Sequence, residues 1–158
     1  MAHIHEKIDF TSEVFIVYRN KVLLRMHDKL HIWLSVGGHI ELNEDPNEAA
    51  LREVKEEVGL DVELWKGNQK LQNDHDNGRF KELIPPVSLN RHRVSSTHEH
   101  VTLVYFAKAV SDEVSVQYEG DRSDECRWVT KEELAEMDLD PQVRFYASLA
   151  LDTLGEDV

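Results

Sequence analysis

The sequence has few of the features that mark secreted, membrane-spanning or multidomain proteins. Its 158 residues include one cysteine, seven glycines and four prolines, so no internal disulfide can form and no Pro/Gly-rich linker is evident. No apolar run approaches the ~18 residues that a membrane span needs. The N-terminus lacks the basic and apolar regions of a secretory signal. These absences predict a single domain over residues 1–158 in a reducing, cytoplasmic setting.

Basic residues are also scarce. The chain has 18 Lys and Arg against 31 Asp and Glu, which gives a net charge of −13. Such a chain repels phosphate backbones and anionic membranes, so neither nucleic acid nor a membrane is an expected partner. An anionic substrate would need divalent cations between itself and the carboxylates. The simpler alternative is that the acidity only keeps the chain in solution.

Short β-rich runs alternate with helix signals along the chain. The predicted strands cover residues 14–18, 22–26, 33–36, 60–65 and 101–110, and a further short strand is predicted to end at residues 128–129. Helix N-termini are predicted at three places, where a capping residue precedes proline or stands three residues before glutamate: Asp45-Pro46, Thr130 and Asp140-Pro141. The first of these helices ends at Gly59, and residues 67–79 are predicted to be a loop. This order predicts an α/β fold with a mixed β-sheet.

The helix predicted over residues 46–58 has two distinct faces. Its core face is predicted to comprise Ala50, Leu51, Val54 and Val58. Beside that face lie Glu53, Glu56 and Glu57, at helical spacings of three and four residues. Their mutual repulsion costs a few tenths of a kcal/mol per pair, whereas converging carboxylates suit a hard cation such as Mg²⁺. Taken alone, the triplet is more simply explained as a solvated acidic face.

The surroundings of this triplet match a known motif. Gly38, Glu44 and the run REVKEEVGL at residues 52–60 occupy every fixed position of the Nudix box. Nine such matches arise by chance at about 10⁻⁷ or less per chain. The sequence therefore resembles the Nudix hydrolases, which cleave a nucleoside or other diphosphate, and the resemblance implies a Nudix-like α/β/α sandwich. Many members have Pro-Gly-Gly where this chain has Val-Gly-Gly at residues 36–38, a difference that bears on the substrate class.

The resemblance also implies roles for the residues of the box. The implied ligands of Mg²⁺ or Mn²⁺ are Gly38, Glu53, Glu56 and Glu57. Arg52 lies one turn before Glu56 and can orient a carboxylate through a bidentate pair, while Glu44 would support the cluster from the preceding loop. Either Glu53 or Glu56 would activate the attacking water, so the expected catalytic residues are Arg52, Glu53 and Glu56. Glu99, Glu119 and Glu125 stay open as alternative general bases.

Three residues outside the box are candidate substrate-binding groups. Arg25 matches a position where relatives bring a cation to the substrate phosphate, although an ordinary exposed arginine at a strand end fits the pattern equally well. His98 and His100 share one face of an extended segment by their period-two spacing. Two histidines without a third ligand are a weak metal signal. Substrate or proton handling by these histidines is therefore weighed against simple loop packing.

These observations predict a metal-dependent pyrophosphohydrolase that cleaves a nucleoside di- or triphosphate, or another X-linked diphosphate, by attack of water at phosphorus. A non-hydrolytic Nudix-like nucleotide-binding module is the alternative, but it should have lost box glutamates that this chain keeps. An isomerase of the isopentenyl-diphosphate type would need a cysteine near the box, and Cys126 is far along the chain. The expected partner is a small diphosphate or nucleotide, with specificity set by loops over residues 67–100, and a homodimer is left open.

Overall fold

The chain folds into one mixed β-sheet with helices on its two faces. The structure is a computed structural model, which describes residues 6–27, 29–67, 77–115 and 125–156. Within these ranges the strands are β1 (Ile8–Tyr18), β2 (Lys21–Met26), β3 (Trp33–Leu34), β4 (Val36–His39), β5 (Val62–Leu64), β6 (Ser88–Arg93), β7 (Glu99–Ala109) and β8 (Cys126–Val129). The helices are α1 (Pro46–Val58), α2 (Lys131–Glu136) and α3 (Pro141–Leu154). No helix in the described ranges is both long and apolar enough to cross a membrane.

The centre of the sheet is a parallel pair of strands, β1 and β7, aligned from Ile8 opposite Glu99 to Val17 opposite Lys108. Each of these strands changes neighbours along its length. On its other side β1 pairs first with β4 and then, near its end, with β2. Similarly, β7 pairs first with β6 and then with β5. The prediction that residues 101–110 form a central strand is therefore confirmed, and β1, β4, β6 and β7 bring their residues together at one end of the sheet.

Alternate residues of β1 enter two separate hydrophobic clusters. Val14 and Ile16 pack with α1 on one face, whereas Phe15 and Val17 pack with α3 on the other. Because strand side chains point alternately to opposite faces, one buried strand supplies both cores. Full burial of each such side chain stabilises the fold by about 1.5–3 kcal/mol. The result is the predicted α/β/α sandwich.

Helix α1 begins and ends as predicted, but its buried face differs from the prediction. Asp45 and Glu48 form a reciprocal capping box, and Gly59 ends the helix in the left-handed conformation with φ of 67°. Leu51 was predicted to be in the core but is 43% exposed. Glu53 and Glu57 are buried instead. The buried arc is shifted towards these two glutamates, whose charges pair with Arg25 of β2 and with Arg52 of the helix itself.

Two strands were missed or shortened because their residues are too polar for an apolar pattern to reveal them. β1 begins six residues before the predicted residue 14, and its first half alternates Asp9, Thr11 and Glu13 with less polar residues. β6 lies within the segment 67–100 that was predicted to form loops. Most of its residues are exposed and it pairs with β7. Most of the loop predicted over residues 67–79 lies outside the described residues.

Candidate metal centre and active-site cleft

Two glycines of β4 allow the carboxylates of α1 to approach the sheet. A Cβ atom at Gly38 would lie 2.3 Å from Oε1 of Glu53, which is closer than any real contact. The backbone N–H of Gly37 donates to Oε2 of Glu57 at 3.3 Å. Because glycine has no side chain, the strand backbone and these two acidic groups share a space that any other residue would fill. Gly38, Glu53 and Glu57, all predicted metal ligands, are therefore adjacent.

Arg52 connects the glutamates of the helix to the preceding loop. Its Nε and Nη2 donate to the two carboxylate oxygens of Glu44 at 2.9 and 2.6 Å, respectively. Its Nη1 donates to Glu53 at 2.9 Å and to Glu56 at 3.1 Å. The hydrogen bonds from Arg52 hold the pKa of Glu44 below its usual range, and the same contacts raise the pKa of Arg52. The guanidinium thus fixes three carboxylates. Its bidentate pair is with Glu44, whereas Glu56, one turn along the helix, accepts a single hydrogen bond.

Arg25 lies beneath the same helix. Its Nε is 3.0 Å from Oε2 of Glu57, and the two side chains are 12% and 5% exposed. The N–H group is not aligned for a linear hydrogen bond, so the contact is an ion pair. The interpretation of Arg25 as an ordinary exposed arginine is therefore wrong. Its cationic group is directed to the glutamate cluster.

These groups line a cleft of about 410 Å³. Its walls include Glu13, Arg25, Ser35, Glu53, Glu57 and His100. Burial raises the pKa of the Glu13 carboxyl above its usual range, although the hydroxyl of Ser35 donates to it and acts in the opposite direction. The cleft therefore combines buried carboxylates, an arginine and imidazole groups in one space.

Histidines and an aspartate gather next to this cleft. Oδ2 of Asp9 is 3.0 Å from Nε2 of His98 and 3.3 Å from Nε2 of His39. The ring of His100 lies between 5.0 and 5.6 Å, centroid to centroid, from the rings of His39, His92 and His98. Burial and the neighbouring histidines lower the pKa of His100 to about 4, so its imidazole is neutral at neutral pH. The predicted pair His98 and His100 thus belongs to a larger cluster.

The structure brings most of the predicted site residues together. Gly38 faces Glu53, and Arg52 joins Glu53 to Glu56. The Arg25–Glu57 pair lies beside the neighbouring Gly37, and His100 lines the same cleft. His98 is buried against Asp9. Among the alternative general bases, Glu99 pairs with Arg91, Glu125 is exposed directly before β8, and Glu119 lies outside the described residues.

Sequence reasoning missed several residues of this region. Asp9 and Glu13 stand in a β-rich run where every second residue is polar, a pattern that places these residues on one face of a strand. His39 directly follows Gly38 within the box but occupies a variable position of the motif. His92 lies in a strand that was predicted as a loop. Only the strand register places these residues beside one another, and the register is a property of the folded sheet.

The arrangement is suited to binding a phosphorylated ligand through a cation. Glu53 and Glu57 offer oxygen atoms that a hard divalent ion prefers. Arg25 offers a positive charge to a phosphate oxygen in the same cleft. Without a cation, the three carboxylates that line the cleft, those of Glu13, Glu53 and Glu57, would repel an anion. The donor set therefore fits a divalent cation of the Mg²⁺ class.

Comparison with known proteins shows which family this chain matches. A family model described as the NUDIX domain matches residues 10–149. A NUDIX-family hydrolase from Clostridium perfringens is 39% identical, with a TM-score of 0.84, and the match covers 92% of this chain and 97% of that chain. The chain therefore shares both sequence and structure with this hydrolase over nearly its whole length.

More distant structures share the fold alone. The NUDIX domain of Shewanella oneidensis NrtR, solved in complex with ADP ribose, is 15% identical with a TM-score of 0.66, and the match covers 95% of this chain and 90% of that one. A binary complex of a C. elegans Ap4A hydrolase is 16% identical with a TM-score of 0.60, covering 91% and 93%, respectively. At these identities only the architecture is comparable.

Proposed function

Since this chain belongs to the Nudix hydrolase family, we propose that it is a metal-dependent pyrophosphohydrolase acting on a nucleoside di- or triphosphate or another X-linked diphosphate. The observation that carries the proposal is the pair of buried carboxylates, Glu53 and Glu57, that face the glycine backbone of β4 beside Arg25. Burying two carboxylates costs free energy even where arginines pair with them, as Arg25 and Arg52 do here. A site for a cation and a phosphorylated substrate explains why the chain retains them.

The metal proposed for this site is Mg²⁺ or Mn²⁺. Its ligands would be drawn from Gly38, Glu53, Glu56 and Glu57, because backbone and carboxylate oxygens suit hard cations. When bound, such an ion offsets the charge of the diphosphate and makes a nearby water more acidic. Arg52 would keep Glu53 and Glu56 in position, since its fork already holds both carboxylates.

Side chains of this protein would then bind the substrate phosphate and accept the proton of the attacking water. Arg25 would donate to a phosphate oxygen of the substrate from the floor of the cleft. Glu53 or Glu56 would accept the proton of the attacking water. One phosphoanhydride P–O bond breaks as the oxygen of water bonds to phosphorus, and the products are two phosphorylated fragments. His98 and His100 were predicted to bind substrate, and only His100 lines the cleft.

The substrate class that we propose is a nucleotide containing a phosphoanhydride. Nucleoside triphosphates, including oxidised ones, are the first candidates, followed by nucleotide sugars and dinucleoside polyphosphates. Two structures with the same fold support this class, since one contains ADP ribose and the other is named an Ap4A hydrolase. Three statements stay predictions from composition: the single domain, the reducing cytoplasmic setting and the absence of nucleic-acid partners. A homodimer is still left open.

A substrate panel tests the proposal. The full chain should release phosphate or pyrophosphate from at least one of these classes with Mg²⁺ or Mn²⁺, and excess EDTA should abolish turnover. In ¹⁸O-labelled water, the label should enter one phosphorylated product. Glu53→Gln should lose turnover, whereas Glu63→Gln, which removes an exposed carboxylate on β5, should not. Substrate binding without turnover in any panel member would instead establish the nucleotide-binding module.

A further inference from the structure

A second group of metal-ligand side chains spans the strands next to the glutamate cluster. Asp9 on β1 is the ladder partner of His100 on β7. His98 directly precedes β7, with its side chain on the same side as that of His100. His39 on β4 is the partner of Thr11, two residues from Asp9. Groups distant in sequence are thereby concentrated in one place by the sheet register.

The distances within this group suit a single ion. One ligand atom each from Asp9, His98 and His100 lies within 4.8 Å of the other two. A tetrahedral Zn²⁺ ion, with bonds of about 2.0–2.2 Å, holds its ligand atoms about 3.3–3.6 Å apart. Small side-chain rotations would close the difference. Nε2 of His39 is 3.3 Å from the same Asp9 oxygen, and thus can supply a fourth ligand.

The orientation of His98 gives an independent argument. Its Nδ1 is 3.3 Å from the backbone carbonyl of Glu6, and a carbonyl only accepts hydrogen bonds, so Nδ1 carries the proton. Its Nε2 faces the Asp9 carboxylate at 3.0 Å. A neutral imidazole would place two acceptors against each other there, so a proton or a metal ion must lie between them. Histidines that bind metals commonly donate their other N–H to a backbone carbonyl in this way.

We propose that Asp9, His98 and His100 bind one divalent transition-metal ion of the Zn²⁺ class, at a site distinct from the glutamate cluster. Two imidazoles and one carboxylate favour such an ion over Mg²⁺, whereas the all-oxygen glutamate cluster favours Mg²⁺. The ion would join β1 to β7 where His100 reaches the cleft wall. This inference stands independently of the proposed hydrolase activity, because it concerns other residues and another class of metal.

Zinc titration of the full chain tests the proposal. After EDTA treatment and dialysis, Zn²⁺ is added in excess Mg²⁺, and binding is followed by calorimetry and by the melting temperature. We expect one zinc equivalent that Mg²⁺ does not displace, with a rise in melting temperature. Asp9→Asn and His100→Asn should each weaken zinc binding by at least about tenfold. Glu57→Gln should leave zinc affinity unchanged.

Control variants guard against other histidines. His31→Asn removes an exposed histidine, and a double His3→Asn, His5→Asn variant removes two N-terminal ones. Both should keep wild-type zinc binding. Should Asp9→Asn fail to fold, His100→Asn decides, and Co²⁺ gives a second measurement, because four-coordinate Co²⁺ absorbs strongly in visible light. Zinc binding that survives loss of Asp9 and His100, or no zinc binding in Mg²⁺, would overturn the site and leave a His98–Asp9 ion pair.

Discussion

Arg25 and Glu57, which both line the cleft, form an ion pair of 3.0 Å in which the side chains are 12% and 5% exposed. Glu57 is a proposed metal ligand, so in the metal-free protein the guanidinium occupies the place of a balancing cation. If Glu57 binds a metal ion as proposed, the ion would take over this charge balance. Arg25 would then be available to donate to a substrate phosphate. The ion pair would thereby couple metal binding to substrate binding through a single side chain.

Replacing Arg25 with alanine should weaken catalysis. We expect kcat/KM to fall about 5- to 150-fold. This corresponds to a loss of about 1–3 kcal/mol of transition-state stabilisation, the usual scale for a charge-assisted contact. Metal affinity should rise, because the cation next to Glu57 no longer repels a metal ion. The measurements are steady-state kinetics on the best substrate of the panel and titration with Mn²⁺.

A matched control for this variant is Arg127→Ala. Arg127 is exposed on β8, whose strand partner is β2, and it pairs with Glu133 rather than with the cleft. Its loss should change neither kinetics nor metal affinity. If Arg25→Ala has the kinetics of Arg127→Ala, then Arg25 has no role in substrate binding.

The carboxylates of α1 should differ in their effects on stability. Glu57→Gln removes the partner of the buried Arg25, so the metal-free variant should be less stable than the wild type. Glu56 is 33% exposed, so Glu56→Gln should change metal-free stability little. With free metal a hundredfold above its dissociation constant, the wild type gains about 2.7 kcal/mol. Glu57→Gln should lose most of this gain, since a neutral amide is a poor ligand for a hard cation.

Melting temperatures with Mg²⁺ and with EDTA, together with kcat, measure these effects. Both variants should lose turnover by orders of magnitude. Glu63→Gln removes one exposed carboxylate from β5 and should retain the metal shift and the activity. Retention of both by Glu56→Gln and Glu57→Gln would show that the cluster does not bind the catalytic metal.

Local sequence signals predicted helix α1 and its box correctly. The capping pair of Asp45 and Glu48 and the stop at Gly59 act within a few residues, so they can be read without the fold. The contact between Arg52 and Glu56 spans one helical turn and could be predicted for the same reason. The motif and the helix geometry depend only on residues close together in the chain, so both can be predicted from the sequence.

Contacts between distant segments were not predictable in the same way. Leu51 was placed in the core because helical periodicity alone cannot show that Arg25 and Arg52 neutralise the glutamates on the neighbouring arc. The convergence of Asp9 with His100 depends on a parallel register between strands about ninety residues apart. Register is fixed by the packing of the whole sheet, so these polar residues were recognised only in the structure.

The two glycines of β4 should respond differently to the same substitution. A Cβ atom at Gly37 would lie 2.3 Å from the backbone oxygen of Ser12 and 2.9 Å from Cα of Glu13, and neither can move without shifting β1. At Gly38 it would meet the side chain of Glu53. We expect Gly37→Ala to destabilise the fold by about 1–3 kcal/mol. Gly38→Ala should cost less stability but displace a proposed metal ligand.

Urea unfolding and metal titration separate these two effects. Gly38→Ala should fold, yet bind Mg²⁺ or Mn²⁺ weakly and lose activity. Gly37→Ala should lose stability even in EDTA, where no metal contributes. Normal metal binding by a folded Gly38→Ala variant would contradict the assignment of Glu53 as a ligand.

The last prediction concerns Arg52 and the pH dependence of stability. Hydrogen bonds from Arg52 lower the pKa of Glu44 from its ordinary value of 4.5. A lowered carboxyl pKa stabilises the fold above the unfolded value, and this contribution is lost as the pH falls below 4.5 through the folded value. Arg52→Ala should therefore destabilise the metal-free protein most at neutral pH, by about 2–4 kcal/mol, because Glu53 is left buried without its cation.

Urea unfolding of the metal-free protein between pH 3 and pH 7 measures the difference in unfolding free energy between the wild type and Arg52→Ala. This range extends about one pH unit or more to either side of the ordinary pKa of a glutamate such as Glu44. The stabilities of the wild type and Arg52→Ala should converge as the pH falls below 4.5, since protonated carboxyls no longer need the guanidinium. Lys55→Ala on the same helix is the control, because the Lys55 side chain forms an exposed pair with Asp61. Its effect should stay within about 0.5 kcal/mol at every pH. A constant gap between wild type and Arg52→Ala across this range would mean that Arg52 stabilises the helix by packing rather than by holding ionised carboxylates.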